Sequence, residues 1–228
     1  MSETAAKHPA AGQFISALEE NAGRYEVALN GQALARLAAY YEQVMAWNAR
    51  LHLVAPCSPA EFATRHVLES LLALPHLPDG ARVADVGSGA GLPIIPCLVA
   101  RPDLTATLFE ASQKKSVFLR EALRRAGTGD AAKVVNERFE KTPTPAAPFI
   151  TCRAIERFAE MFPQLYEWSP RRSRLLLFAG EAIRVEIEKA ALPYRAILIP
   201  ASERRYLFIV DRDTTGDNAG RNSHPAAS

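Results

Sequence analysis

Residues 81–110 read ARVADVGSGAGLPIIPCLVARPDLTATLFE, and this stretch limits the folds open to the chain more than any other. A short apolar run over 81–86 meets a glycine cluster at Gly87, Gly89 and Gly91. An apolar segment follows, then a second run of strand type that closes on an acid, Glu110. Strand, glycine turn, helix, strand and acid is the layout of a nucleotide-binding βαβ unit. Glycines permit the sharp turn and let a ligand lie against bare N–H groups. An acid at the tip of the second strand can accept hydrogen bonds from both hydroxyls of a ribose. Taken alone, a glycine turn after a strand is also compatible with no ligand at all.

The alternation continues downstream. The pattern predicts a helix over 113–126 with Val117, Phe118, Leu119 and Leu123 toward a sheet, ended by Gly127 and Gly129. A short strand over 132–135, a proline-rich loop over 142–148 and a strand over 149–152 follow. Next come a helix over 156–168, a strand over 174–179, a helix over 180–191, and strands over 194–199 and 205–210. The residues between the last two strands are too few for a parallel crossover, so this pair must be an antiparallel hairpin. A nicotinamide-binding domain would end in another parallel strand. The glycines also fall at Gly87-x-Gly89-x-Gly91, not at the G-x-G-x-x-G spacing of dinucleotide binders. Both features point away from a dehydrogenase. They point to an α/β, Rossmann-like, seven-stranded sheet of the class I S-adenosylmethionine-dependent methyltransferases.

Upstream, residues 1–12 read as a disordered tail and 13–75 as an N-terminal helical cap. A helix over 13–21 places Phe14, Ile15 and Leu18 on one face. A longer one follows Asn30, with Leu34, Leu37, Tyr41, Val44 and Trp47 in a stripe. Ser58-Pro59-Ala60-Glu61 is a capping box with proline at the first helical position. It starts a helix that carries Phe62, His66, Leu68, Leu71 and Leu72 toward Pro75. The core then spans 76–211, and a polar, disordered tail is expected over 212–228.

Composition enters mainly by exclusion. At 48% hydrophobic and 23% charged residues, wholesale disorder is ruled out. A net charge of +2 is below that of a dedicated, strongly basic nucleic-acid binder. Cys57, Cys97 and Cys152 form no CxxC pair, so no disulfide framework or metal site is expected, and a reducing cytoplasm fits. No apolar run approaches membrane-span length, and the opening residues MSETAAKHPAAG lack a signal-peptide core. The expectation is a cytoplasmic protein with no membrane partner.

Trp47-Asn48, Arg65-His66-Val67-Leu68-Glu69-Ser70 and the run from Asp85 to Pro93 carry a more specific likeness. So do Ala111-Ser112-Gln113-Lys114-Lys115, Phe118-Leu119, Arg138-Phe139-Glu140, Arg153-Ala154 and Trp168-Ser169-Pro170. In these stretches the chain resembles the bacterial GidB/RsmG family, the 16S ribosomal RNA guanine-N7 methyltransferases. The likeness runs from Leu34 to Val210. It implies S-adenosylmethionine as cofactor, with Gly87, Gly89, Gly91 and Leu92 at the turn, Glu110 on the ribose, and Phe139 and Glu140 at the adenine. It implies that Arg153, at the end of the fourth strand, faces the reacting end as the catalytic residue and a cofactor contact. The partner implied is 16S ribosomal RNA or the small ribosomal subunit, not DNA, with the protein acting as a monomer. The chain departs from the family at Ile94, where glycine is usual, near Pro148, where aspartate is common, and at Ala179, where lysine is common. His52 stands for asparagine and Glu69 for aspartate. These departures keep two alternatives open: a diverged RNA-binding or ribosome-associated protein, and a small-molecule methyltransferase.

The chemistry explains an absence. Guanine N7 carries an in-plane lone pair and no proton, so no general base has to act and no His/Asp/Ser constellation is needed. Alignment and electrostatics carry the reaction. N7 faces the groove that is deep and narrow in A-form RNA, so a loop or splayed base is expected, held by stacking and cations. Arg153, Arg138, Arg171, Arg172, Arg174, Arg204, Arg205, Lys114 and Lys115 are the available cations. Plainer readings stand beside these: Arg153 in a salt bridge with Glu156 or Glu140, Arg171 to Arg174 in a solvated loop, His66, Trp47 and Tyr41 in packing.

Overall fold

The computed structural model describes residues 9–153 and 158–212. Five strands come first: β1 (Arg82–Val86), β2 (Thr105–Phe109), β3 (Ala132–Val135), β4 (Phe149–Arg153) and β5 (Arg174–Gly180). They pair in parallel, β3 on β2, β2 on β1, β1 on β4 and β4 on β5. The closing strands, β6 (Tyr194–Leu198) and β7 (Arg205–Asp211), form the expected antiparallel hairpin. Strand β7 inserts antiparallel beside β5, giving the order β3-β2-β1-β4-β5-β7-β6.

Two apolar layers cover the sheet, as a mostly parallel sheet requires. Along β5, Leu176 and Phe178 face one layer while Leu175 and Leu177 face the other, and Leu207/Ile209 against Phe208/Val210 do the same on β7. The first layer holds α5 (Ile94–Ala100) and α6 (Gln113–Arg125), and the second α7 (Phe158–Trp168) and α8 (Glu181–Lys189). The first residues of the helix expected from 156 lie outside the described residues, as do 1–8 and 213–228 of the expected tails.

The N-terminal helices join the first layer. Helix α1 (Pro9–Asn21) begins earlier than the expected position 13, because proline suits a first helical turn and Ala11 already packs inward. Helix α2 (Gly31–Leu51) starts at Asn30, whose side chain accepts from the Ala33 N–H at 2.8 Å. Phe14 stacks on Tyr41 at 4.7 Å, and both lie against Phe62. The capping box forms at Ser58 and Glu61 and opens α3 (Pro59–Phe62). The helix predicted beyond it is not regular: a π-helical stretch, Ala63–Leu68, intervenes before α4 (Glu69–Leu71). Arg212, expected to begin the C-terminal tail, is buried instead and donates to the carbonyls of Tyr166, Glu167 and Ser169.

Candidate active site

The parallel strands β1, β2 and β4 end at one edge, and a cleft of about 880 Å³ opens there. Open α/β sheets place ligands at this edge because the connecting loops diverge around it. The volume lies within the usual range of small-molecule sites, about 300–1,000 Å³. Gly87, Gly89, Leu92, Glu110, Phe139, Glu140 and Arg153 all line it, together with Arg138 and Lys115. These residues come from strands and loops far apart in the chain, so their convergence is a product of the fold.

The glycine turn divides into two functions. Gly87, Gly89 and Gly91 all adopt left-handed backbone, with φ of 67°, 50° and 86°. A Cβ on Gly89 would meet only the Gly87 carbonyl, at 3.7 Å, so the turn leaves an open cradle there. Gly91 is different. It does not line the cleft, and a Cβ on it would lie 2.4 Å from Ile95 Cδ1 and 3.3 Å from Leu119 Cδ2. Its bareness serves the packing of α5 and α6 beneath the turn.

Glu110 fixes the cradle. Its Oε2 accepts from the Gly89 N–H at 2.9 Å and its Oε1 from the Ser112 N–H at 2.8 Å. A carboxylate has about four acceptor positions, so each oxygen retains acceptor capacity beyond these two contacts. From the helical layer, the buried Tyr40 hydroxyl donates to the Ala90 carbonyl at 2.8 Å, pinning the turn from behind. Asn48 clips the loop after α2: its Nδ2 donates to the Val54 carbonyl at 3.1 Å and its Oδ1 accepts from the Val54 N–H at 3.0 Å. That loop, 52–55, forms a wall of the cleft. Trp47 lies edge-on to Phe118, a packing role.

Phe139 is buried on a short 3₁₀ turn, Phe139–Lys141, with Glu140 exposed beside it. The Trp168 ring meets both Phe109 at 5.1 Å and Phe139 at 5.3 Å edge-on, and its Nε1–H donates to the Thr142 carbonyl at 3.0 Å. This aromatic group props the cleft floor.

Arg153 does not pair with Glu140, and Glu156, the other expected partner, lies outside the described residues; among the described residues its partners are upstream. Nη2 donates to Glu69 Oε2 at 3.1 Å and to the Arg65 carbonyl at 2.6 Å. Nη1 donates to the His66 carbonyl and to Ser70 Oγ, each at 3.3 Å. The π-helical stretch explains this, since its widened hydrogen-bond pattern turns carbonyls toward the guanidinium. Burial pulls the Arg153 pKa down and the Glu69 charge holds it up. Arg205 donates to the same Glu69 oxygen at 2.7 Å.

Two residues in or under the cleft carry properties that the sequence reading did not assign. Asp85 is fully buried; its Oδ1 accepts from Thr151 Oγ1 at 2.6 Å, while Oδ2 has no partner. Burial pushes its pKa up to about 7, the Ser88 and Thr151 hydroxyls oppose this, and the Glu110 charge adds to it. An acid inside an otherwise apolar parallel strand was the available signal. His66, expected in packing, does lie 5.1 Å from the Phe62 ring, but it also lines the cleft. Burial, then the charges of Arg153, Arg65 and Arg205, pull its pKa down to about 4, so the imidazole is neutral near pH 7. The remaining cations do not converge here. Arg172 and Arg174 line a separate cavity with His76 and Arg212 at the opposite edge, where β4 and β5 begin, and Arg174 pairs with Asp211 at 2.6 Å. Among the described residues no helix is long and apolar enough to cross a membrane, and no group of three or more His, Cys, Asp or Glu is placed to hold a metal.

Comparison with known proteins agrees with this geometry. The family profile described as rRNA small subunit methyltransferase G (GidB) matches residues 33–199. A ribosomal RNA small subunit methyltransferase G of Xanthomonas campestris pv. campestris (strain B100) is 36% identical over 194 residues, covering 81% of this chain and 90% of that protein. Its namesake from Nitrosomonas europaea is 32% identical over 190 residues, covering 79% and 88%. Among solved structures, cofactor-bound Rv0187 from MTB superposes with a TM-score of 0.54 at 18% identity, covering 78% of this chain and 88% of that one. An O-methyltransferase family 2 protein from Planctomyces limnophilus does so with a TM-score of 0.55 at 15% identity, covering 80% and 65%. These distant likenesses show the class I methyltransferase fold; the sequence matches show more, and the chain belongs to the rRNA small subunit methyltransferase G family.

Proposed function

We propose that the protein methylates N7 of a guanine in 16S ribosomal RNA, as RNA or within the small subunit, acting as a cytoplasmic monomer. The methyl donor of this family is S-adenosylmethionine, which supplies an electrophilic methyl group on a sulfonium. The observation that carries the reading is the cradle itself: open space above Gly89, with a carboxylate, Glu110, bonded to the Gly89 N–H and keeping acceptor capacity. Gly87, Gly89 and Leu92 would hold the donor along the turn, Glu110 its ribose, and Phe139 and Glu140 its adenine. Gly91 supports the turn from below. Arg153 stands at the reacting end, with Arg138 and Lys115 near the rim for a phosphate or a base. Family membership favours this enzyme over a diverged binding protein.

Isothermal titration with S-adenosylmethionine tests the cradle, and methyl transfer to small subunits tests the reaction. Gly87→Val is expected to abolish cofactor binding while the circular dichroism spectrum stays that of the wild type. Normal binding by that variant would remove the turn from the site. Methylation of DNA or protein alone would remove the RNA assignment.

A further inference from the structure

Glu69 is among the most buried acids of the described chain, at 1% exposure, and it does not line the cleft. Its Oε2 is shared by two arginines from non-adjacent strands, Arg153 at the end of β4 (3.1 Å) and Arg205 at the start of β7 (2.7 Å). Strand β5 runs between them, and its Phe178 ring lies 5.7 Å beneath the Arg153 guanidinium. A single carboxylate thus draws the ends of two sheet strands up to the π-helical stretch of the helical layer. Arginine has five N–H donors in a rigid fork. The four hydrogen bonds from Nη1 and Nη2 all go to Arg65, His66, Glu69 and Ser70. The fork's orientation is therefore set by the helical layer.

We infer that Glu69 is a positioning residue for methyl transfer, holding Arg153 in a single orientation. The inference rests on the methyltransferase reading of the same cleft. Charge supports it. The cluster sets one buried anion between two cations, Arg153 with its side chain 11% exposed and Arg205 with 34%, and removing the anion leaves both guanidinium groups without their only carboxylate partner among the described residues. Such a loss is strongly destabilising for a buried pair. Reorientation of Arg153 by about 1 Å is on the scale that costs on the order of 100-fold in rate.

The experiment uses the full chain with small ribosomal subunits as methyl acceptor. Glu69→Gln is expected to lower kcat about 10- to 100-fold while the S-adenosylmethionine Kd stays within about threefold, a change below one pKa-unit equivalent in free energy. Glu69→Asp, which keeps the charge, is expected to recover most of kcat. The double variant Glu69→Gln/Arg205→Gln has the same net charge in the cluster as the wild type, one excess positive. It is expected to regain thermal stability relative to Glu69→Gln while kcat stays low. Recovery of kcat together with stability would make Glu69 purely structural and overturn the inference. So would a Glu69→Gln enzyme as fast as wild type. If Glu69→Gln does not fold, Glu69→Asp against the double variant makes the same comparison. Wild-type protein that binds S-adenosylmethionine but methylates no subunit would overturn the methyltransferase reading and the inference with it; an active wild type with unaffected variants overturns the inference alone.

Discussion

Gly91→Ala should damage stability far more than Gly89→Ala, although both replace a left-handed glycine in the same turn. A left-handed backbone at a residue with a Cβ costs about 1–2 kcal/mol, and both positions share this cost, with φ of 50° at Gly89 and 86° at Gly91. The difference lies in what the new methyl meets. At Gly89 it meets one carbonyl oxygen at 3.7 Å, ordinary contact. At Gly91 it overlaps Ile95 at 2.4 Å (Cδ1) and 2.8 Å (Cγ1), with Leu119 at 3.3 Å closing the way out. Ile95 and Leu119 are both fully buried, so neither side chain can swing into solvent. Overpacking of this kind costs about 1–3 kcal/mol. The expected loss is therefore about 1–2 kcal/mol for Gly89→Ala and about 2–5 kcal/mol for Gly91→Ala. Urea denaturation at fixed pH measures both. A double-mutant cycle with Ile95→Val, which removes the Cδ1 atom, sharpens the test: Gly91→Ala should cost about 1 kcal/mol less in that background, a coupling typical of residues in contact. Equal losses at the two glycines, or a Gly91→Ala cost independent of Ile95, would refute the division of the turn into an open face and a packing face.

Two further outcomes follow from the same structure. Tyr40→Phe leaves the buried Ala90 carbonyl without its donor and should cost about 1–3 kcal/mol, with weaker S-adenosylmethionine binding by titration because the turn loses its support from behind. His66 has a folded-state pKa of about 4 against an ordinary 6.5. The unfolded chain then binds more protons between those values, and stability should fall as pH drops from about 6.5 toward 4. Asp85, raised to about 7, contributes the opposite slope across much of that window. The His66 share is therefore read as the difference between wild type and His66→Gln, on the order of 2 kcal/mol for a partly exposed group; identical pH profiles would contradict a neutral His66.

The sheet was legible in the sequence because its determinants are local. Apolar runs with glycine or proline punctuation located β1, β2, β4 and β5, and the few residues between 198 and 205 left the final pair no option but a hairpin. The capping box at Ser58 and Glu61 was equally local, and it formed. The irregular turn after it was not legible. Ala63–Leu68 carries no glycine or proline to mark a π stretch, and its carbonyls are matched by an arginine more than 80 positions away. The same holds for the fate of Arg153, read from nearby acids when the acid that takes it is Glu69. Arg172 precedes β5 and Arg174 begins it, whereas Arg153 ends β4, so parallel strand direction sends them to opposite edges. Nor does glycine spacing reveal which glycine faces the open cleft and which the core: that depends on Ile95 and Leu119 packing beneath Gly91.

The carboxylate of Glu110 bridges two backbone donors, Gly89 and Ser112. An amide in its place would aim N–H groups at N–H groups at one of these contacts or forfeit it. The position is thus constrained twice, by the nucleoside proposed to bind there and by the loop that must be shaped to receive it. Substitutions tolerated by one demand are refused by the other. Drift at this residue is closed off even in a descendant that changed its substrate, so long as it kept the turn.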